Sequence, residues 1–212
     1  MANPSPVPIQ VDSAESGDQE EMTDLVNVLK TREEYYQTHS KNMIFKKRQK
    51  QDCAEVVCKQ YGLESLMNRT FWIVPNHNQL FYEYRFFKLY GTPDNYSIIV
   101  ENVLSLCTWC VSQYSTFELH VNLATFTMSA AERYKNLIII FCDECLRRET
   151  HFTESLDFMY LYNIPTVFDN ISRLLLPLIP PEVRPKIRLV KKEDSTEPLT
   201  RIYANSGKIY TP

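Results

Sequence analysis

The sequence predicts an α/β fold: a mostly parallel sheet of about five strands with helices packed on it and a small helical segment ahead of it. Three observations carry this expectation. In TFELHVNL, Phe117, Leu119, Val121 and Leu123 alternate with Glu118, His120 and Asn122, the period of a half-buried strand. A capped helical pattern follows it, and FMYLYNI then reads as another strand that Pro165 stops. From residue 116 the order is strand, helix, strand, helix, strand, which calls for parallel pairing through right-handed crossovers.

Residues 1–22, MANPSPVPIQVDSAESGDQEEM, hold three prolines, five acids and no base, and read as an acidic flexible tail. Residues 23–68 read as a helical segment. Its first helix covers 23–38, with Thr23 as N-cap and Leu25, Val26, Leu29, Tyr35 and Tyr36 as its apolar and aromatic positions. The basic run KNMIFKKRQK, at 41–50, reads as a solvated helix face. CAEVVCKQYG then reads as a helix closed by Gly62 at C′. From residue 69 the pattern turns to strands, RTFWIV and LFYEYRFF, separated by a Pro-Asn-His-Asn turn. Thr92-Pro93-Asp94 supplies a cap, a proline at N1 and a first-turn acid for a helix through SIIVENVLSLCTWCVSQ. Ser129-Ala-Ala-Glu132 reads as a capping box, and the helix it opens ends in two arginines that suit the negative end of its dipole. A short helix, VFDNISRLLLPLI, precedes the last strand, KIRLV, and residues 191–212 read as a polar C-terminal tail.

Composition excludes several function classes. The 212 residues give room for one domain with a sizeable core. Lys and Arg total 23 against 26 Asp and Glu, a net charge of −3, which argues against a nucleic-acid partner. Residues 1–22 carry five of the acids, so the remainder, with 23 bases and 21 acids, stands at +2. Four glycines, at 17, 62, 91 and 207, are too far apart for a GxGxxG or GxxxxGK[ST] phosphate loop. The N-terminal stretch resembles neither a signal nor a transit peptide, and no apolar run nears the roughly 20 residues that span a bilayer. The expected location is intracellular, cytoplasmic or peripheral to a membrane. In that setting the sequons at Asn68, Asn95 and Asn170 carry no weight.

Six cysteines include two CxxC pairs, Cys107/Cys110 and Cys142/Cys145. The 31 residues between them exceed the about 15–20 of a zinc ribbon, and both pairs fall within helical patterns, so no metal is expected. Each pair also sits at the wrong end of its helix for a redox dithiol, because the thiolate-stabilising end of the dipole is the N-terminus. They read as buried, reduced, hydrophobe-like cysteines. No GxSxG elbow occurs, and His39, His77, His120 and His151 are scattered, so no enzyme activity and no cofactor are expected. His120 alternates onto the polar side of its strand and reads as solvated or hydrogen-bonded.

YLYNIPTVFDNISRLLLPLI followed by RPKIRLV resembles the CRAL/TRIO lipid-binding domain, the family of retinaldehyde-binding and phosphatidylinositol-transfer proteins. The marks are Asn163, Pro165, Pro177, Lys186 and Ile187, with the preceding strand and helix in order, and the pattern extends over 69–190. The resemblance implies a pocket for one hydrophobic molecule, a phospholipid or another apolar ligand. In members similar to phosphatidylinositol-transfer proteins it implies a headgroup site, whose positions here are Glu154 and Lys186. A carboxylate would accept from sugar hydroxyls and an ammonium would meet the phosphodiester. The bland reading makes Glu154 a first-turn acid and Lys186 an exposed strand residue. The resemblance also implies a gate helix after the last strand, where KKEDSTEPLTRIYANSGKIYTP is polar and without an amphipathic stripe. Two functions follow. One is non-catalytic binding of a hydrophobic ligand or phosphoinositide. The other is a structural accessory subunit of a larger, membrane-associated assembly, docked through its two tails.

Overall fold

The alternating stretch after residue 116 is the middle strand of the sheet in the computed structural model, which describes residues 14–39, 46–148, 152–208 and 210. The strands are β1 (Phe71–Ile73), β2 (Gln79–Glu83), β3 (Phe117–Asn122), β4 (Leu156–Ile164) and β5 (Ile187–Lys191). They lie side by side in chain order, β1 antiparallel to β2 and every later pair parallel. The expected α/β class and five-stranded, mostly parallel sheet are therefore present.

The helices are α1 (Ala14–Thr38), α2 (Lys46–Tyr61), α3 (Leu63–Thr70), α4 (Tyr84–Tyr90), α5 (Tyr96–Tyr114), α6 (Met128–Arg147), α7 (Phe152–Ser155), α8 (Phe168–Leu175) and α9 (Lys192–Asn205). The first four pack on one another and, through α3, on β1 and β2. Gly62 stands between α2 and α3 at φ 77°, where its N–H caps the Cys58 carbonyl, as expected of a C′ glycine. The first helix begins at Ala14, not Thr23, because AESGDQEEM is rich in helix formers and acids suited to a helix start. Residues 1–13 of the acidic stretch, 41–45 of the basic run and His151 lie outside the described residues.

Three local expectations need correction. LFYEYRFF is not one strand: β2 ends at Glu83, and α4 begins at Tyr84. The Glu83 carboxylate accepts the Arg85 backbone N–H at 2.9 Å and so caps that helix. Tyr84, Phe86, Phe87, Leu89 and Tyr90 are all buried, and only Arg85 and Lys88 form a polar side, too narrow to show a helical period over seven residues. The cap of α6 is Thr127, whose hydroxyl accepts from the Ala130 N–H at 3.2 Å, two residues ahead of the Ser129 expected. Finally, 192–205 is not a polar tail but α9, with Pro198 in its first half.

The sheet separates two apolar layers. On one face, β1–β5 present Phe71, Leu80, Leu119, Met159 and Ile187 toward α5, α6 and α8. On the other, α9 lays Leu199, Ile202 and Tyr203 against Trp72, Phe81 and Tyr162. The strand ends beneath α9 carry a polar node. Glu83 is 0% exposed and accepts from Asn122 Nδ2 at 2.8 Å, from Arg85 Nε at 3.2 Å and from the Tyr203 hydroxyl. Asn163 sits at φ 52°, a left-handed conformation that asparagine tolerates. Its side chain donates to Asn122 Oδ1 at 2.8 Å and to the Tyr210 hydroxyl at 3.2 Å, and its N–H donates to Ser195 Oγ at 2.8 Å. Burial works to lower the Arg85 pKa, but Glu83 and Tyr203 outweigh it, so the pKa rises and the guanidinium stays charged. Replacing Glu83 with Ala is expected to cost about 3–5 kcal/mol, because it breaks the buried ion pair and takes the acceptor from Asn122 and Tyr203. Tyr203→Phe should cost about 2 kcal/mol, one hydrogen bond to a charged group. Urea unfolding of the two variants checks both values.

Candidate functional site

Alternation puts every second residue of β2–β5 on the inner face, and those side chains do not close on the helices above them. Between them lies a cavity of about 550 Å³. Its floor includes Tyr82, Val121, Met159 and Leu161; its walls are α5 and α6; and α8 covers it with Phe168, Ile171 and Leu175. The only charged residues lining it, among those described, are Asp169 and Arg184, both solvent-exposed. A cavity of this size falls within the roughly 300–1,000 Å³ of small-molecule sites, and its apolar lining suits a lipophile. Phe126 and Met159, two side chains large enough to fill it, line it and leave it open, whereas Phe158 lies on the opposite face beside Tyr160.

The lining marks two ends. Phe152, Thr153 and Arg184 stand where β4 and β5 begin. Tyr82, Phe87, Leu123 and Tyr134 stand where β2 and β3 finish. Glu154 and Lys186 lie beside the first end but are not among its lining residues. The Lys186 ammonium donates to the carbonyls of Thr153 at 2.9 Å, Glu154 at 3.2 Å and Leu156 at 2.5 Å. These carbonyls belong to the end of α7 and the start of β4, where a cation complements the free carbonyls of a helix end. All three ammonium protons are thus engaged. The Glu154 carboxylate is exposed, and the chain brings its backbone, not its carboxylate, to Lys186.

The cover over the cavity comes from α8, which precedes the last strand, and not from a segment after it. The sequence held this signal: Phe168, Ile171 and Leu175 recur at helical spacing in VFDNISRLLLPLI. The residues after KIRLV instead bind the far face of the sheet as α9. Their stripe, Ser195, Leu199, Ile202 and Tyr203, is buried, but only two of its members are aliphatic, so the hydropathy pattern hides it.

The CxxC pairs belong to the cavity walls. Cys107, Cys142 and Cys145 line it, and all six cysteines are free. Among the described residues, no group of three or more His, Cys, Asp or Glu is placed to hold a metal ion. Burial pushes the Cys110 and Cys142 thiols up to about 11 and Cys145 up to about 12, with the Asp143 carboxylate adding to the rise at Cys142. At neutral pH they are therefore protonated and weakly nucleophilic. His120 is buried and hydrogen-bonded, its ring nitrogens 2.9 Å from the Tyr162 hydroxyl and 3.1 Å from Glu118 Oε2. The hydrogen bond from His120, with a second from Gln79, lowers the Glu118 pKa against the effect of burial. This chain of polar groups lies on the outer face of the sheet, away from the cavity. Among the described residues, no helix is long and apolar enough to cross a membrane.

Lys186→Ala is expected to destabilise the protein by about 2 kcal/mol, since three carbonyls lose a charged donor. Glu154→Gln should leave the melting temperature within error of the parent. Thermal unfolding of the two variants separates a residue that braces α7 from one that merely lies beside it.

No curated protein matches the chain. A family model does: the CRAL/TRIO domain matches residues 95–206, more than half the chain, and so takes in α5 through α9. The match begins at the cap of α5 and includes the sheet from β3 on, the α8 cover and the far-face helix α9. With an apolar cavity between that sheet and those helices, the chain belongs to the CRAL/TRIO domain family.

Proposed function

We propose that this chain is a non-catalytic carrier that encloses one lipophilic molecule between its sheet and α5, α6 and α8. The observation that carries the reading is the apolar cavity of about 550 Å³, left open although large side chains surround it. An unfilled apolar space forgoes dispersion contacts that its lining would otherwise make, and a bound lipophile restores them. Membership of the CRAL/TRIO family supports the same class of ligand. The buried thiols and the outer-face His120 supply no nucleophile or base at the cavity, consistent with binding without chemistry.

A phosphoinositide is the narrower form of this reading, with Glu154 and Lys186 at its headgroup. In that form the phosphate must take over at least one Lys186 donor from the carbonyls of α7 and β4. Lys186→Glu then abolishes any preference for phosphorylated lipid, whereas a ligand held through its apolar part keeps its affinity.

Gentle native mass spectrometry of the purified chain, followed by organic extraction, tests the carrier reading. The expected result is an added mass of several hundred daltons that extraction removes. Leu161→Trp, which places a large side chain on the cavity floor, should emerge without it. A bare parent chain under conditions that preserve lipid complexes would contradict the reading and favour a scaffold role in a larger assembly.

A further inference from the structure

Outside the cavity, three cations from three helices gather at the ends of β2 and β3. Arg32 comes from α1, Lys88 from α4 and Arg133 from α6, and all three are half-buried. They surround a group of tyrosines. The Arg32 guanidinium carbon lies 5.8 Å from the Tyr36 ring centroid, and that of Arg133 lies 5.5 Å from the Tyr134 centroid. Tyr134 in turn meets Tyr84, one turn ahead of Lys88 on α4, at 6.1 Å between centroids. Burial raises the pKa values of Tyr36, Tyr84 and Tyr134, and both guanidiniums act on all three in the opposite sense. The Lys88 ammonium donates to Thr125 Oγ1 at 2.8 Å, which joins α4 to the turn that leads into α6. Burial lowers the Lys88 pKa, and the charges of Arg32 and Arg85 lower it further. Among the described residues, no carboxylate stands within 4.0 Å of Arg32, Lys88 or Arg133. Glu83, the carboxylate that acts on Lys88, is already met by Arg85, Asn122 and Tyr203. Long basic side chains ordinarily spread into water, whereas these converge in partial burial, where like charges repel more strongly.

We propose that Arg32, Lys88 and Arg133 form a binding site for a phosphate monoester, separate from the cavity. None of the three lines the cavity, so the site does not depend on what the cavity holds. The chemistry of the donors selects the anion. Two guanidiniums offer planar forks of N–H groups to phosphate oxygens. The Lys88 ammonium, with one proton on Thr125, keeps two for another oxygen. A monoester carries close to two negative charges at neutral pH and comes nearest to balancing three cations. A phosphodiester or a carboxylate carries one and leaves the cations repelling each other. A soluble phosphate and a lipid headgroup present the same group, so the site is defined by the phosphate and not by what it is attached to.

The test is calorimetric titration of the full chain with two soluble probes, the monoester glycerol 3-phosphate and the diester glycerophosphocholine. Cosedimentation with phosphatidylcholine vesicles, with and without phosphatidate, supplies the lipid form of the monoester. The expected result is binding of glycerol 3-phosphate about tenfold tighter than of the diester, weakening as salt is added. Lys88→Gln and Arg133→Gln should each weaken it about tenfold, the loss of one hydrogen bond to a charged group. Lys192→Gln, which removes an exposed cation at the start of α9, should leave the affinity unchanged. Glycerol 3-phosphate should raise the melting temperature of the parent and of Lys192→Gln, and barely move that of the other two variants. The melting curves also show that each variant folds. Binding of the soluble ester assigns the site to a free phosphate. Binding of phosphatidate vesicles alone, abolished by Lys88→Gln and Arg133→Gln, assigns it to a lipid headgroup. Absence of binding to either monoester, equal affinity for the diester, or binding that survives both variants would overturn the site and leave the carrier reading untouched.

Discussion

Everything on the far face of the sheet depends on one carboxylate without access to water. Glu83 closes β2, caps α4, pairs with Arg85 and receives Asn122 and Tyr203, so it ties the sheet to α4 and to α9 at a single point. A buried carboxylate is tolerable only where its lone pairs are met, and here charged and neutral donors meet them. Trp72 adds a second tie, donating its indole N–H to Ser206 at 3.0 Å just beyond α9. With one face fastened this way, the opposite face need not be filled to hold the fold together. The cavity is the consequence.

The division of labour also assigns the polar residues. Asn122 and Asn163 face the α9 side and knit strand ends together, while Val121 and Leu161 next to them face the cavity. Lys186 performs the equivalent task at the other end of the sheet by holding the carbonyls of α7 and β4. The cover, α8, is different. At eight residues it is too short to hold itself in water, so its order derives from packing on α6.

Much of this architecture was legible in the residues. The alternation of β3, the Thr92 cap with Pro93, and the Asn163-x-Pro165 stop each state a local conformation that the tertiary structure also needs. What escaped had two causes: a nearly continuous apolar run hides the period of α4, and polar members of a buried stripe hide that of α9. Tyr84–Tyr90 is apolar or aromatic at five of seven positions and reads equally as strand or helix. The α9 stripe includes Ser195, whose hydroxyl is spent on the Lys191 carbonyl at 2.7 Å and on the Asn163 N–H, a role that only long-range contact reveals. The site was partly visible. Phe126 and Met159 are large enough to fill the space, but their spacing in the sequence does not say whether they fill it or line it.

A ligand in the space between the sheet and α8 should steady the cover and leave the far face alone. Amide hydrogen exchange, compared between the chain as purified and the same chain after delipidation, decides this. Slower exchange with lipid in α6 and α8, against unchanged exchange in α9 and β1, is the predicted result. Identical exchange in α8 in the two states, or a change confined to α9, would contradict it.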